Sequence, residues 1–97
     1  MAGKILIKIH DKGVVSVCDS DLLGKTLDEG DLHLEVSEKF FKGEERTEIY
    51  IVGILKCTGN ATIVGKRSIE LAVKNEIVEE KCVKKIGDVP FACVFAI

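Results

Sequence analysis

Hydrophobic and polar residues alternate at the start of the chain, which is the pattern of a β-strand. Isoleucines occupy alternate positions of residues 4–10, and lysines and a histidine occupy most of the others. The turn-forming sequence Asp-Lys-Gly follows at 11–13, and apolar residues resume at 14–18. Because so short a connection joins neighbouring antiparallel strands, the pattern predicts a β-hairpin.

The next thirty residues carry weaker patterns. Glycines interrupt residues 22–30, which are predicted to be irregular or briefly helical. Residues 32–36 alternate again and predict a third strand, with His33 on its polar face. Ser37 can cap one helical turn containing two phenylalanines, which Gly43 ends.

Residues 44–57 fit two kinds of element. Their β-branched residues favour a strand. The i, i+3, i+4, i+7 spacing typical of a helix is also present, at Ile51, Ile54, Leu55 and Thr58. Three glutamates fall near the start, where a helix dipole favours negative charge. We therefore predict a helix from residue 44 to residue 57.

The last third of the chain gives clearer signals. Residues 66–76 form an amphipathic pattern with one apolar stripe, at Ile69, Ala72 and Val73. The opposite side is predicted to face water, at Lys66, Arg67, Glu70 and Lys74. Residues 82–86 and 91–97 flank a Gly-Asp-Val-Pro turn and predict a closing hairpin. If Ile86 opposes Phe91, Cys82 and Cys93 lie diagonally on one face of that hairpin, with Cys93 in the core or sheet.

These elements predict the fold class. The 97 residues leave room for one domain, so residues 1–97 are expected to form a single α+β domain. Its mostly antiparallel sheet should have about five strands, with two main helices packed on it.

Charge is unevenly distributed along the chain. The net charge is −2, so the whole molecule has no strong attraction for nucleic acid. Residues 28–48 hold eight acids against three bases, and residues 49–97 hold seven bases against five acids. A polyanion would therefore meet the C-terminal half. The acidic stretch is interpreted as a solvated surface, with a docking face for a basic partner as the alternative.

Cysteine spacing and hydropathy indicate the compartment. No two of the four cysteines form the close pair that a structural zinc site requires. The apolar run near the N-terminus covers only residues 5–7, too short for a signal peptide or a membrane span. We expect reduced thiols in a cytoplasmic protein that has no membrane segment, no metal site and no cofactor.

One stretch suggests an anion site. Gly65, Lys66 and Arg67 stand where a helix should begin, with free backbone N–H groups and two cations. Such an end can bind a phosphate, including one of RNA, and Lys84 and Lys85 of the last hairpin can contribute. In the alternative interpretation, Gly65 fits a tight turn and the cations are only solvated. Gly24-Lys25-Thr26 and Gly65-Lys66 both lack the earlier glycine that a P-loop needs.

The sequence gives little support to a catalytic function. An enzyme or small-molecule binder would need a pocket near Cys18, Asp19 and His33. However, the acid beside Cys18 raises the pKa of the thiol and opposes its activation. Neither histidine has a partner acid or nucleophile at a suitable spacing, so we predict no catalytic residue and favour a protein that is not an enzyme.

Several stretches together resemble a known family. They are Val15-Ser16-Val17-Cys18-Asp19, Leu22-Leu23-Gly24-Lys25, Phe40-Phe41-Lys42-Gly43-Glu44, Ile63-Val64-Gly65-Lys66-Arg67-Ser68-Ile69-Glu70-Leu71-Ala72 and Gly87-Asp88-Val89-Pro90. In this order, over nearly the whole chain, they resemble an archaeal family catalogued as domain of unknown function 424. The resemblance implies an archaeal cytosolic protein with a loose link to translation, and it implies no activity.

Two departures from the family pattern bear on shared chemistry. The family has Asn where this chain has Thr62, and Pro-His-Ala-Gln where this chain has Pro90-Phe91-Ala92-Cys93. These differences count against a common catalytic mechanism. Our leading hypothesis is therefore a non-enzymatic module that binds RNA or a ribonucleoprotein. The alternatives are the enzyme or ligand binder above, and a subunit of a protein complex with an exposed apolar patch.

Overall fold

Eight strands make up the β-structure of the computed structural model, which describes residues 4–95. They are β1 (Ile5–Ile9), β2 (Val14–Asp19), β3 (Thr26–Glu29), β4 (Leu32–Glu35), β5 (Glu44–Glu45), β6 (Asn60–Val64), β7 (Lys84–Ile86) and β8 (Val89–Phe95). Six of them form one sheet in the order β5-β1-β2-β6-β8-β7, and β3 pairs with β4 in a separate hairpin. Strands β2 and β6 are parallel, and every other described pair is antiparallel.

Three α-helices connect the strands: α1 (Glu38–Phe41), α2 (Glu48–Cys57) and α3 (Lys66–Lys74). Ser37 Oγ accepts a hydrogen bond from Phe40 N at the start of α1, at 3.3 Å. Thr47 Oγ1 accepts one from Tyr50 N at the start of α2, at 3.2 Å. These side chains satisfy N–H groups that have no partner within the helix, and so they fix where each helix begins. Short 3-10 turns occupy Asp11–Gly13, Ser20–Leu22 and Glu80–Cys82.

The sheet is buried on both faces. One face packs with α2 and α3, and its centre is a row of paired residues, Ile7, Val17, Ile63 and Ala92. The other face carries a second cluster, formed by Cys18 and Val64 with Val36 and Phe41. Because side chains alternate along a strand, Ile63 and Val64 of β6 enter opposite layers.

The predicted fold class is confirmed: the chain has an α+β fold with a mostly antiparallel sheet. The first hairpin corresponds to β1 and β2, and the capped turn at Ser37 corresponds to α1. Helix α3 exposes Lys66, Arg67, Glu70 and Lys74 as predicted. No helix within residues 4–95 is long and apolar enough to cross a membrane.

The prediction of a helix from residue 44 was wrong at its start. Glu44–Glu45 form β5, which pairs with Leu6 and Ile7 of β1, and α2 begins only after Thr47. Gly43 makes this pairing possible, because a Cβ at that position would overlap the carbonyl group of Ile7. The glutamates at 44 and 45 therefore belong to a strand, and the long-range pairing overrides the helical spacing.

Two further strands were missed. Thr26–Glu29, predicted to be irregular, forms β3 and pairs with β4 outside the main sheet. No strand was predicted at residues 60–64, yet β6 lies near the centre of the sheet.

The closing hairpin is confirmed with a different register. Val89 opposes Ile86, and Phe91 opposes Lys84. Cys82 lies in a 3-10 turn. Of the two placements predicted for Cys93, the sheet is confirmed, because Cys93 lies on β8 opposite Thr62, and the core is not, because its side chain is exposed. The predicted last residues, 96 and 97, lie outside the described part of the chain.

Candidate functional site

The start of α3 is built around a carboxylate from another strand. Because β2 and β6 run parallel, with Cys18 opposite Val64, Asp19 comes beside the turn that leads from β6 into α3. The Asp19 carboxylate accepts hydrogen bonds from Arg67 N at 3.0 Å, Ser68 N at 2.9 Å and Ser68 Oγ at 2.7 Å. Asp19 is buried, with 6% of its surface exposed. It therefore caps α3 from 48 residues away in sequence.

Gly65 is required for this cap. It precedes the first residue of α3 and has a φ of +114°. A Cβ at Gly65 would lie 2.6 and 2.7 Å from Asp19 Oδ1 and Oδ2. A side chain would thus push the carboxylate away from the N–H groups, and the positive φ would strain any residue that has one.

The predicted anion site is changed by this cap. The helix start at Lys66 is confirmed, but the N–H groups of Arg67 and Ser68 are not free, because they bind the protein's own carboxylate. Asp19 takes the place in which an external anion was expected. The N–H groups of Arg67 and Ser68 are therefore not available to an external anion, which leaves side chains as the main groups that could bind one at this end of α3.

Two of the predicted cations share a groove between α3 and the β7–β8 hairpin. Lys66 and Lys85 both line this groove, which has a volume of about 660 Å³. Lys74, about two turns further along α3, lines it as well. Its apolar lining is Ile69, Val73, Val83 and Pro90. We call this feature the α3–β7 groove.

The other predicted cations lie elsewhere. Arg67 does not line this groove. It lines a cavity of about 480 Å³ together with Lys66, where Asp19, Asp21 and Glu70 also lie. It also lines a smaller cavity of about 230 Å³ on the other flank of α3, among the cations Lys4 and Arg46 and the acids Glu45 and Glu48. Lys84 pairs with Phe91, which packs in the second cluster, whereas Lys85 pairs with Pro90 of the groove. Because neighbouring strand residues point to opposite faces, Lys84 points away from the groove.

Acidic residues also line the α3–β7 groove, at Glu70, Glu80 and Asp88. Within residues 4–95, no ion pair shorter than 4.0 Å joins one of these acids to Lys66, Lys74 or Lys85. The ammonium groups of the groove are therefore available to a ligand, and the acids limit how much negative charge it can carry there.

The predicted pocket near Cys18, Asp19 and His33 is contradicted, because the three side chains lie apart. The thiol of Cys18 is buried in the second cluster, and the carboxylate of Asp19 accepts hydrogen bonds from the start of α3. His33 is exposed on β4, and its Nδ1 lies within hydrogen-bond distance of the Asp28 carboxylate. Burial raises the pKa of the Cys18 thiol from 9.0 to about 12, with further contributions from the charges of Asp19 and Asp21. A thiol with a pKa this high stays protonated at neutral pH, and the protonated form is not a nucleophile.

A contact between His10 and Ser16 was not predicted from the sequence. His10 Nε2 lies 2.8 Å from Ser16 Oγ and 3.0 Å from the carbonyl oxygen of Phe40. A carbonyl oxygen only accepts hydrogen bonds, so its contact favours the tautomer that has a proton on this nitrogen. In that tautomer the nitrogen donates and does not take the proton of Ser16, whose side chain is fully buried. The His10 ring stacks on Phe40 instead, at 4.5 Å between centroids.

Among residues 4–95, no group of three or more His, Cys, Asp or Glu side chains is arranged to bind a metal ion. The observations define an α+β protein whose helix α3 is capped by a carboxylate of the protein itself and exposes three cations, Lys66, Arg67 and Lys74.

The chain belongs to the family described as Protein of unknown function (DUF424), whose model matches residues 7–97. The resemblance found in the sequence is thereby confirmed. The fold is similar to the crystal structure of an uncharacterized conserved protein from Methanopyrus kandleri, with a TM-score of 0.75 and 23% sequence identity. That match covers 97% of this chain and 94% of the other chain, and it establishes a shared fold. No curated protein matches the sequence.

Proposed function

We propose that this protein is a non-enzymatic cytoplasmic module that binds RNA, free or within a ribonucleoprotein, through the exposed cations around α3. The observation that carries the proposal is the charge of that helix. Its solvent side presents Lys66, Arg67 and Lys74 against one acid, Glu70. Lys85 adds a fourth cation across the α3–β7 groove.

The mode of binding follows from the cap. Since Asp19 occupies the helix N–H groups, phosphates are bound by ammonium and guanidinium groups. The apolar lining of the groove, including Val83 and Pro90, offers a surface for an unstacked base. Contacts of this kind release counterions, so affinity should fall as salt rises.

The non-enzymatic part of the proposal rests on the two candidate nucleophiles. Cys18 is buried with its pKa raised to about 12, and the nitrogen beside Ser16 is a hydrogen-bond donor in its favoured tautomer. Neither arrangement activates a nucleophile.

The test is binding of a single-stranded RNA, measured by fluorescence anisotropy across a salt titration. In the variant Lys66→Ala/Arg67→Ala, the slope of log K against log salt should flatten by about 1.4, since each lost phosphate contact on a single strand contributes about 0.7. The backbone N–H of Arg67 remains, so the cap is preserved.

The matched control is Lys39→Ala/Lys84→Ala, which removes the same charge from the opposite side of the sheet. It should keep the wild-type slope. Equal slopes for both double variants would show that α3 is not the RNA surface. A wild-type protein that binds no RNA at low salt would overturn the proposal itself.

A further inference from the structure

The apolar surface that the α3–β7 groove offers to a ligand comes mainly from two valines. Val73 and Val83 line the groove and are half-buried, whereas its other two apolar lining residues are buried. The backbone N–H of Val83 donates to the carbonyl oxygen of Glu80 at 3.1 Å, so Glu80 stands beside this patch. Lys74 follows Val73 on α3 and also lines the groove. An apolar patch therefore has a carboxylate on one side and an ammonium group on the other.

The carboxylate of Glu80 requires an explanation, because it repels the phosphates that the ammonium groups attract. Within residues 4–95, it forms no ion pair shorter than 4.0 Å. The other two acids of the groove are placed differently. Glu70 lies on α3, four residues from both Lys66 and Lys74, and it also lines the cavities of about 230 and 480 Å³. Asp88 lies in the turn between β7 and β8. Glu80 is therefore the acid that belongs to the valine patch.

The chemistry of a carboxylate selects among the RNA bases. An ionised carboxylate only accepts hydrogen bonds, and its two oxygens can accept from two donors at once. On the Watson–Crick edge, guanine presents two donors side by side, N1–H and the 2-amino group. Adenine, cytosine and uracil each place a lone pair next to their donor on this edge, and a carboxylate repels it. A groove that combines a carboxylate with ammonium groups therefore matches a guanine base flanked by phosphates.

We propose that the α3–β7 groove binds a guanine base of single-stranded RNA, with the base on Val73 and Val83 and its Watson–Crick edge on the carboxylate of Glu80. Lys74 binds a neighbouring phosphate, and Lys66, a rise of about 12 Å away along α3, binds one further along the strand. The groove volume of about 660 Å³ lies within the range of about 300–1,000 Å³ typical of small-molecule sites. This proposal deepens the RNA binding proposed above and rests on it.

The test compares single-stranded RNAs of equal length and charge by fluorescence anisotropy at low salt. An oligouridylate with one central guanosine should bind the wild type at least about fivefold more tightly than the plain oligouridylate. With inosine in place of guanosine, the 2-amino group is missing and part of this preference should be lost. With adenosine, which has a ring system of the same size, most of it should be lost. The differences report on the base alone, because the phosphates are the same.

A substitution at Glu80 tests the role of the carboxylate. Glu80→Gln keeps the size of the side chain, and it should bind the guanosine and adenosine strands equally. The plain oligouridylate should bind slightly more tightly than it does to the wild type, because a negative charge leaves the groove. The matched control is Glu79→Gln, which removes the same charge one residue away. Glu79 pairs with Lys81 at 3.2 Å and does not line the groove, so this variant should keep the guanosine preference.

The outcomes separate this proposal from the one on which it rests. A wild type that binds all the strands equally binds RNA but has no guanine site. A wild type that binds none of them overturns both proposals. Loss of the preference in Asp88→Asn and its retention in Glu80→Gln would show that the base is recognised at the β7–β8 turn, and the assignment to Glu80 would then be wrong. Equal loss in Glu79→Gln and Glu80→Gln would show an effect of net charge and would also contradict the proposal.

Discussion

Asp19 and Gly65 act together at the start of α3, although they are far apart in the sequence. The carboxylate fills the helix end, and the missing side chain of Gly65 leaves the space for it. A Gly-Lys-Arg sequence before an amphipathic helix has the composition of a phosphate-binding end. Here the same local features serve the stability of the fold, because the anion comes from the protein itself.

Removing that anion should destabilise the fold. We expect Asp19→Ala to lower the free energy of unfolding by about 2–4 kcal/mol, since it removes a helix cap and buried hydrogen bonds to a charged group. Urea denaturation measures this. Asp21→Ala, at a neighbouring exposed carboxylate, should change stability by less than about 0.5 kcal/mol.

A second measurement separates the cap from general packing. Sulfate should stabilise Asp19→Ala more than the wild type, because the emptied N–H groups can bind it. Equal sulfate effects in the two proteins would contradict the view that Asp19 occupies an anion site.

Cys18 should differ from the other thiols in reactivity. Cys57, Cys82 and Cys93 are exposed, and Cys18 is buried with a pKa of about 12. At pH 8, three thiols should therefore react with a disulfide reagent in the native protein, and the fourth only after denaturation. The unfolded chain releases the Cys18 proton near pH 9.0 and the folded chain only near 12, so this group lowers stability as the pH rises between those values. Four fast thiols in the native protein would contradict the burial of Cys18.

At the scale of elements, segments with local signals were predicted correctly. The β1–β2 hairpin needs only alternation and a short turn, and α3 needs only its apolar stripe. Helix α2 was found, but its first residues were not, because β5 exists only through pairing with β1. Local spacing cannot report a partner that lies almost forty residues away.

Strand β6 was missed for a different reason. Ala61, Ile63 and Val64 are all buried, since the strand lies near the middle of a sheet covered on both faces. Residues 60–63 do alternate between polar and apolar side chains, but over only four residues, which is the shortest run that indicates a strand. Because β6 was missed, the parallel pair with β2 was missed too, and the position of Asp19 depends on that pair.

The candidate site was predictable only where it depends on local sequence patterns. Helical periodicity places Lys66 and Arg67 in solvent, and the structure agrees. The assignment of Lys84 to the same surface as Lys85 was wrong, because it ignored that adjacent strand residues face opposite ways. The groove itself depends on how α3 lies against the last hairpin, which is a matter of packing between distant segments.

At the scale of the whole molecule, the two edges of the sheet are poorly suited to pairing with other strands. Strand β5 has two residues, both glutamates, and β7 has three, of which two are lysines. Short, charged edges discourage growth of a sheet by addition of further strands. Association of this protein through the edges of its main sheet is therefore not expected.

The central sheet should make both layers unfold together. Ile63→Ala, in the layer with α2 and α3, should lower the free energy of unfolding by about 3 kcal/mol. Val36→Ala, in the layer of the second cluster, should lower it by about 2 kcal/mol. The control Ile49→Ala, at an exposed residue, should change it by less than about 0.5 kcal/mol.

The measurement uses two probes of different parts of the fold. Tyr50, the single tyrosine, packs against the first layer and reports on it by fluorescence, while far-UV circular dichroism reports on all elements. In urea, the two signals should change together in both core variants, because β2 and β6 contribute side chains to both layers. If Val36→Ala shifts the dichroism transition and leaves that of Tyr50 unchanged, the layers unfold separately and the sheet does not couple them.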